Sequence, residues 1–318
     1  MFESPSHETL ETPLDMSVNV AGVNLRNPVI AASGTFGNGT EYSDVFDVSL
    51  LGGICTKGLT LVPRPGNTGV RIWETPAGLL NSIGLENIGI VDFLEKDLPY
   101  LSTLGPAIIA NLSGGESSEY VKGAEMLDKS SIHMIELNIS CPNVKIGGMA
   151  FGLDPGTAAA LVSAVKRVCK NKPLMVKLSP NAPNLASVAN ACINAGADAL
   201  SLVNTFKAMA IDIANKKPVF DNVTAGLSGP AIKPIALRMV WELFDSMKNA
   251  KRIIPIVGMG GIVCASDAIE YLMAGAAAIQ VGSATFSNPH AMLEIIEGIR
   301  KYMEVNKVAK LSDISIRN

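Results

Sequence analysis

Eight short apolar runs recur along the 318-residue chain, each followed by a helical stretch or a longer loop. They are PVIAASG (28–34), GGICTKGLT (52–60), PAIIANLSG (106–114), HMIELNISCP (133–142), PLMVKLSP (173–180), ADALSLVNT (197–205), IIPIVGMGG (253–261) and AAIQVGSAT (277–285). Near-continuous apolar, β-branched runs suit strands buried on both faces, the condition of a parallel sheet covered by helices. Intervening stretches such as GTAAALVSAVKRVCKN and NLASVANACINAG place apolar residues at helical spacing. Eight such alternations predict an α/β fold closed into a (β/α)8 TIM barrel. A faint internal repeat agrees: AGADALSLVNT from 195 and AGAAAIQVGSA from 274 each set a glycine where a helix ends and a strand begins.

With 48% hydrophobic and 17% charged residues the chain can bury one large core, so a single barrel domain is expected over 16–318 behind a flexible extension at 1–15. MSVNVAGVNLRNP (16–28) reads as a hairpin turning at Ala-Gly, able to close the bottom of the barrel. Two segments exceed the plain alternation: 61–87 after the second strand and 206–232 after the sixth. Insertions of that length are usually functional or mobile, and these two fall at the C-terminal mouth.

A net charge of -3 and a pI near 5.7 give no general field for nucleic acid or an anionic membrane, so a small molecule is the expected partner. The opening MFESPSHETLETPLDM is acidic and predicts neither a signal peptide nor an anchor, and no segment reaches the ~18 apolar residues of a membrane span. Five cysteines at 55, 141, 169, 192 and 264, with no C-x-x-C or Cys/His grouping, predict no disulfide framework, metal site or iron–sulfur cluster in this chain. They argue for a reducing, cytoplasmic compartment. Three histidines, at 7, 133 and 290, serve histidine-base chemistry poorly.

Strand after strand ends in polar residues or glycine: Ser33-Gly34, Thr56-Lys57-Gly58, Asn111, Asn138 with Cys141, Lys177, Asn204-Thr205, Gly260-Gly261 and Gly282-Ser283. Singly, each has a plain structural reading, since Asn and Gly punctuate turns and a free Cys is commonly a small buried hydrophobe. Lys177 is harder to dismiss, because an ammonium inside an apolar strand needs a counter-charge or a ligand. Together they point to the barrel mouth, where such folds build their sites from several strands. VGMGGI and VGSATF, after strands seven and eight, supply glycine backbones suited to a phosphate, while no G-x-G-x-x-G fingerprint appears.

In this order and spacing, ELNISCPN, NSIGLEN, MVKLSP, LVNT, GLSGPAI, VGMGGI and VGSATF resemble the dihydroorotate dehydrogenases of pyrimidine synthesis, over about residues 16 to 300. The resemblance implies a flavin-binding barrel that oxidises dihydroorotate to orotate. A Cys at 141 is similar to the soluble class 1 enzymes, and NSIGLENIG with the region from NPVIAASGTFG to TKGLT is most similar to class 1B. Glu86 and Ile88 depart from the Gln and Pro expected there. Class 1B implies a partner subunit carrying FAD and a [2Fe-2S] cluster that passes electrons to NAD, a homodimer of this chain within a heterotetramer. Fumarate-linked class 1A chemistry is the alternative.

Carried over by position, FMN would be held by Ser33, Lys57, Gly58, Asn111, Asn138, Lys177, Val203, Gly229, Gly260, Gly261, Gly282 and Ser283. The substrate would meet Lys57, Asn81, Ser82, Ile83, Gly84, Leu85, Asn138, Asn204 and Thr205, with Cys141 as base and Lys177 as the cation facing developing negative charge. CPNVKIGGMAFGLDP reads as a lid with Gly147 and Gly148 as hinges. Three rivals are weighed against this: a barrel aldolase forming a Schiff base on Lys177, which leaves Cys141 and the asparagines without roles, a related flavoprotein reducing a pyrimidine in RNA, which the acidic pI disfavours, and a non-catalytic docking subunit, which leaves the whole set unexplained.

Overall fold

The computed structural model describes residues 14–140 and 151–317. All eight expected runs form strands: β1 Val29–Ala31, β2 Gly53–Cys55, β3 Ala107–Leu112, β4 Met134–Asn138, β5 Leu174–Lys177, β6 Ala199–Leu202, β7 Ile256–Met259 and β8 Ala278–Val281. They pair in parallel, each with its neighbours in sequence, and β8 closes on β1. Every residue of these strands is buried, as a sheet covered on both faces requires. The longer covering helices are α1 Ser117–Asp128, α2 Pro155–Val168, α3 Leu185–Asn194, α4 Lys233–Asn249, α5 Ala265–Met273 and α6 Ala291–Val305. Their starts are written locally: Asp154 accepts from the Thr157 amide and Asn184 from the Ser187 amide, capping α2 and α3.

The expected hairpin forms from Val18–Val20 and Val23–Leu25, turning through left-handed Ala21 and Gly22. Val20 and Leu25 pack on Ile30, Ile109, Met134, Met175 and Val257, sealing the bottom of the barrel with apolar side chains. Asp15, assigned from sequence to a flexible extension, bridges Lys310; the rest of that extension lies almost wholly outside the described residues.

The two insertions meet. Ile72–Thr75 and Gly78–Asn81 from the first join Ala225–Ser228 and Phe206–Ala208 from the second in one antiparallel four-stranded sheet over the mouth. The sequence shows these segments as loops, because their strands are short and glycine-bearing and find their partner far along the chain. Close packing explains two of the glycines: a Cβ at Gly78 would lie 2.2 Å from the Ser228 carbonyl, and one at Gly226 would lie 2.1 Å from the Thr205 hydroxyl.

Among the described residues no helix is long and apolar enough to cross a membrane. Asp128, buried at the end of α1, accepts the Asn171 and Lys172 amides at 2.9 Å and ties that helix to the entry of β5. Burial pushes its carboxyl up, but those hydrogen bonds outweigh burial and hold it below its usual value. Such a group stabilises the fold above its unfolded pKa, ~3.9, and that contribution is lost as pH falls through the folded value. Asp128→Ala is expected to cost about 1–3 kcal/mol at neutral pH. The gap from wild type should begin to narrow below about pH 4 and go on narrowing as pH falls through the lower folded value, and urea titrations at pH 7 and pH 3 measure the difference.

Candidate active site

The C-terminal strand ends surround a cavity of about 940 Å³. Ser33, Lys57, Gly58, Asn81, Ser82, Ile83, Gly84, Leu85, Asn111, Asn138, Lys177, Val203, Asn204, Thr205, Gly229, Gly260, Gly261, Gly282 and Ser283 all line it. Cys141 lies outside the described residues, as do Gly147 and Gly148 and most of the segment read as a lid.

At the cavity floor, β4 and β5 place Asn138 opposite Lys177. Lys177 is 5% exposed, and its counter-charge is Glu136, 3.8 Å away and fully buried. The Glu136 carboxylate also accepts from Asn111 at 2.5 Å, from Ser201 and Gln280 at 2.8 Å, and from the Cys55 thiol at 3.2 Å. Burial pushes this carboxyl up, but Lys177 and the Ser201, Gln280 and Asn111 hydrogen bonds outweigh burial and hold it below its usual range. Burial, then the neighbouring carboxylate, raise the Cys55 thiol well above its usual value, consistent with a protonated donor. Of the amides that donate to Glu136, both keep a buried oxygen with no partner among the described residues, Asn111 Oδ1 and Gln280 Oε1.

Glu136, Cys55, Ser201 and Gln280 were not singled out from the sequence. The signal was present for Glu136: it shares the face of Asn138 two residues on, and it is a charge inside an apolar strand, the argument that found Lys177.

A second wall of the cavity is built differently. Asn138 Oδ1 accepts from the Ser140 hydroxyl at 2.6 Å, and Asn204 Nδ2 donates to that hydroxyl at 2.5 Å, linking the ends of β4 and β6 immediately before Cys141 in sequence. Gly84 and Leu85 both take left-handed backbone angles, with Leu85 at φ 56°. Asn87 holds that turn, donating to the Leu85 carbonyl at 2.7 Å and accepting the Gly89 amide at 2.8 Å. Glu86, one of the two departures noted in sequence, pairs with Arg71 at 2.8 Å on the cavity rim. Lys57 also faces the cavity.

The loop after β7 forms the third wall. Gly261, at φ +69°, has no room for a side chain: a Cβ would meet the Gly229 carbonyl at 2.8 Å and Lys233 Cβ at 2.7 Å. Asp267 braces the loop from behind, accepting the Val263 amide at 2.9 Å and the Lys233 ammonium at 2.5 Å, while the Tyr271 hydroxyl donates to the Gly260 carbonyl at 2.7 Å. A rigid glycine bend of this kind brings backbone close to an anion.

Chains similar to this one share the architecture's length. The dihydroorotate dehydrogenase family model matches residues 15–303. A protein of Petrotoga mobilis named dihydroorotate dehydrogenase B (NAD(+)), catalytic subunit, is 56% identical over 301 residues, covering 95% of this chain and 98% of its own. Counterparts of the same name are 51% identical in Geotalea uraniireducens, covering 94% of this chain and 97% of that one, and 46% in Alkaliphilus metalliredigens, covering 95% and 98%. The chain therefore belongs to the dihydroorotate dehydrogenase family.

Proposed function

We propose that this chain is the catalytic subunit of an NAD-linked dihydroorotate dehydrogenase, oxidising dihydroorotate to orotate in pyrimidine synthesis with FMN in the barrel mouth. The observation that carries the reading is the convergence on one cavity of two lysines, 57 and 177, with the amides of Asn111, Asn138 and Asn204. The names of relatives 46–56% identical to it support NAD as the final acceptor rather than fumarate. The Schiff-base reading loses support, because such a lysine needs a free amine and Lys177 is ion-paired with Glu136.

The residues fit a flavin. The unpartnered acceptors of Asn111 and Gln280 suit the N–H of a pyrimidine-like ring edge, Lys177 suits the oxygen beside it, and the Gly260-Gly261 and Gly282-Ser283 turns suit the phosphate. When bound, FMN supplies the hydride acceptor that no side chain offers.

The chain's own residues do the rest. Dihydroorotate loses a proton from C5 and a hydride from C6. Asparagine amides, each offering a donor and an acceptor, hold the ring edges of the substrate, and Lys57 attracts its carboxylate. Cys141 is the proposed base at C5, active as thiolate. A partner subunit carrying FAD and a [2Fe-2S] cluster would take the electrons to NAD, with this chain a homodimer in the assembly. A cytoplasmic location is part of this reading, in keeping with cysteines that form no disulfide framework in sequence.

The test begins with the purified chain. It is expected to be yellow, to bleach on anaerobic addition of dihydroorotate, and to be reoxidised by NAD only after the partner subunit is added; colourless protein, or a flavin indifferent to dihydroorotate, would overturn the reading. The stopped-flow rate of bleaching should rise with pH through a thiol pKa, ~8.5 when unperturbed. A flat profile from pH 6 to 10 removes Cys141 from the role of base. Lys177→Gln is expected to slow bleaching by about 10²- to 10³-fold while weakening substrate binding far less, because its interaction strengthens as charge develops.

A further inference from the structure

The proposed chemistry gives Glu136 no part, yet the cavity floor is organised around it. It sits on β4 and is joined to β2 through Cys55, β3 through Asn111, β5 through Lys177, β6 through Ser201 and β8 through Gln280. A buried carboxylate accepts hydrogen bonds and donates none. It therefore dictates how each amide around it is turned: Asn111 and Gln280 both give their NH2 groups to Glu136, which leaves Oδ1 and Oε1 as the atoms without a partner.

We propose that Glu136 is a positioning residue of the cofactor site, fixing the hydrogen-bonding polarity and the charge balance of the cavity floor. Resting on the flavin reading above, this means that a bound ring meets two amide acceptors and a Lys177 ammonium partly neutralised by the carboxylate behind it. The carboxylate touches neither substrate nor cofactor and acts through its neighbours. An anion set behind the cation opposes negative charge arriving on the ring, so the protein holds the two redox forms more evenly than Lys177 alone would. A neutral amide at 136 loses that anion and must also turn an N–H toward one of its present donors, disturbing Asn111 or Gln280.

The experiment measures the midpoint potential of FMN bound to the whole chain in wild type, Glu136→Gln and Glu136→Asp, with circular dichroism and thermal melting to confirm folding. Glu136→Gln is expected to shift the potential upward, equivalent to a rise of about tenfold in the preference for reduced over oxidised FMN. Glu136→Asp, which keeps the charge, should return the potential toward wild type. A folded, FMN-loaded Glu136→Gln with the wild-type potential would overturn the proposal and leave Glu136 as a strand brace.

Should Glu136→Gln fail to fold around a stranded ammonium, the comparison of Lys177→Gln with Lys177→Gln/Glu136→Gln serves, because an amide at 177 can still donate to the carboxylate and the double variant strands no charge. The double variant is expected to have the higher potential, and equal values would overturn the proposal. Wild-type chain that takes up no FMN would overturn the flavin reading itself, an outcome distinct from either variant result.

Discussion

A carboxylate at the centre of a protein is expensive unless it is paired and hydrogen-bonded, and here that requirement shapes the mouth of the barrel. Glu136 is fully buried, and six of the eight strands carry it or supply a group to it. Removing a donor would leave the charge short of partners; removing the carboxylate would strand a buried ammonium at Lys177. The polar layer is therefore satisfied as a unit. It lies above the apolar layer that the hairpin seals with Val20 and Leu25, so the barrel is dry at one end and chemically equipped at the other.

The strand pattern was the legible part of the sequence. A barrel strand must be apolar on both faces, and that rule locates all eight, because every strand residue is buried. The site residues at strand ends follow from the same rule, since polarity in such a strand needs a reason. Applying it evenly would have found Glu136, but the alternation of Ile135, Leu137 and Ile139 draws the eye to the helix-facing side and leaves the inward side to Asn138 alone. Gln280 and Ser201 were hidden differently: a neutral polar residue inside a strand carries no charge to signal its burial.

The four-stranded sheet over the mouth was not legible at all. Its register sets Asn81 opposite Gly226, a pairing 145 positions apart that no local pattern announces. Each strand is only three or four residues long, and glycines at 78 and 226 weaken the propensity of the strands that hold them. Those glycines are needed by the packing, where the opposing backbone and Thr205 leave no space for a Cβ.

That pairing also explains how a wall of the cavity can be built from loops without being loose. Asn81 donates to the Gly226 carbonyl at 3.3 Å, and Gly226 packs on the Thr205 hydroxyl, so the loop after β2 and the loop after β6 are one piece of sheet. On the far side, Asn204 reaches Ser140, and Ser140 reaches Asn138 on the cavity floor. The two insertions are joined by the backbone pairing of their strands, and Asn204 and Ser140 tie the second of them to the cavity floor through short side-chain hydrogen bonds, the kind of rigidity that orienting a small ligand requires.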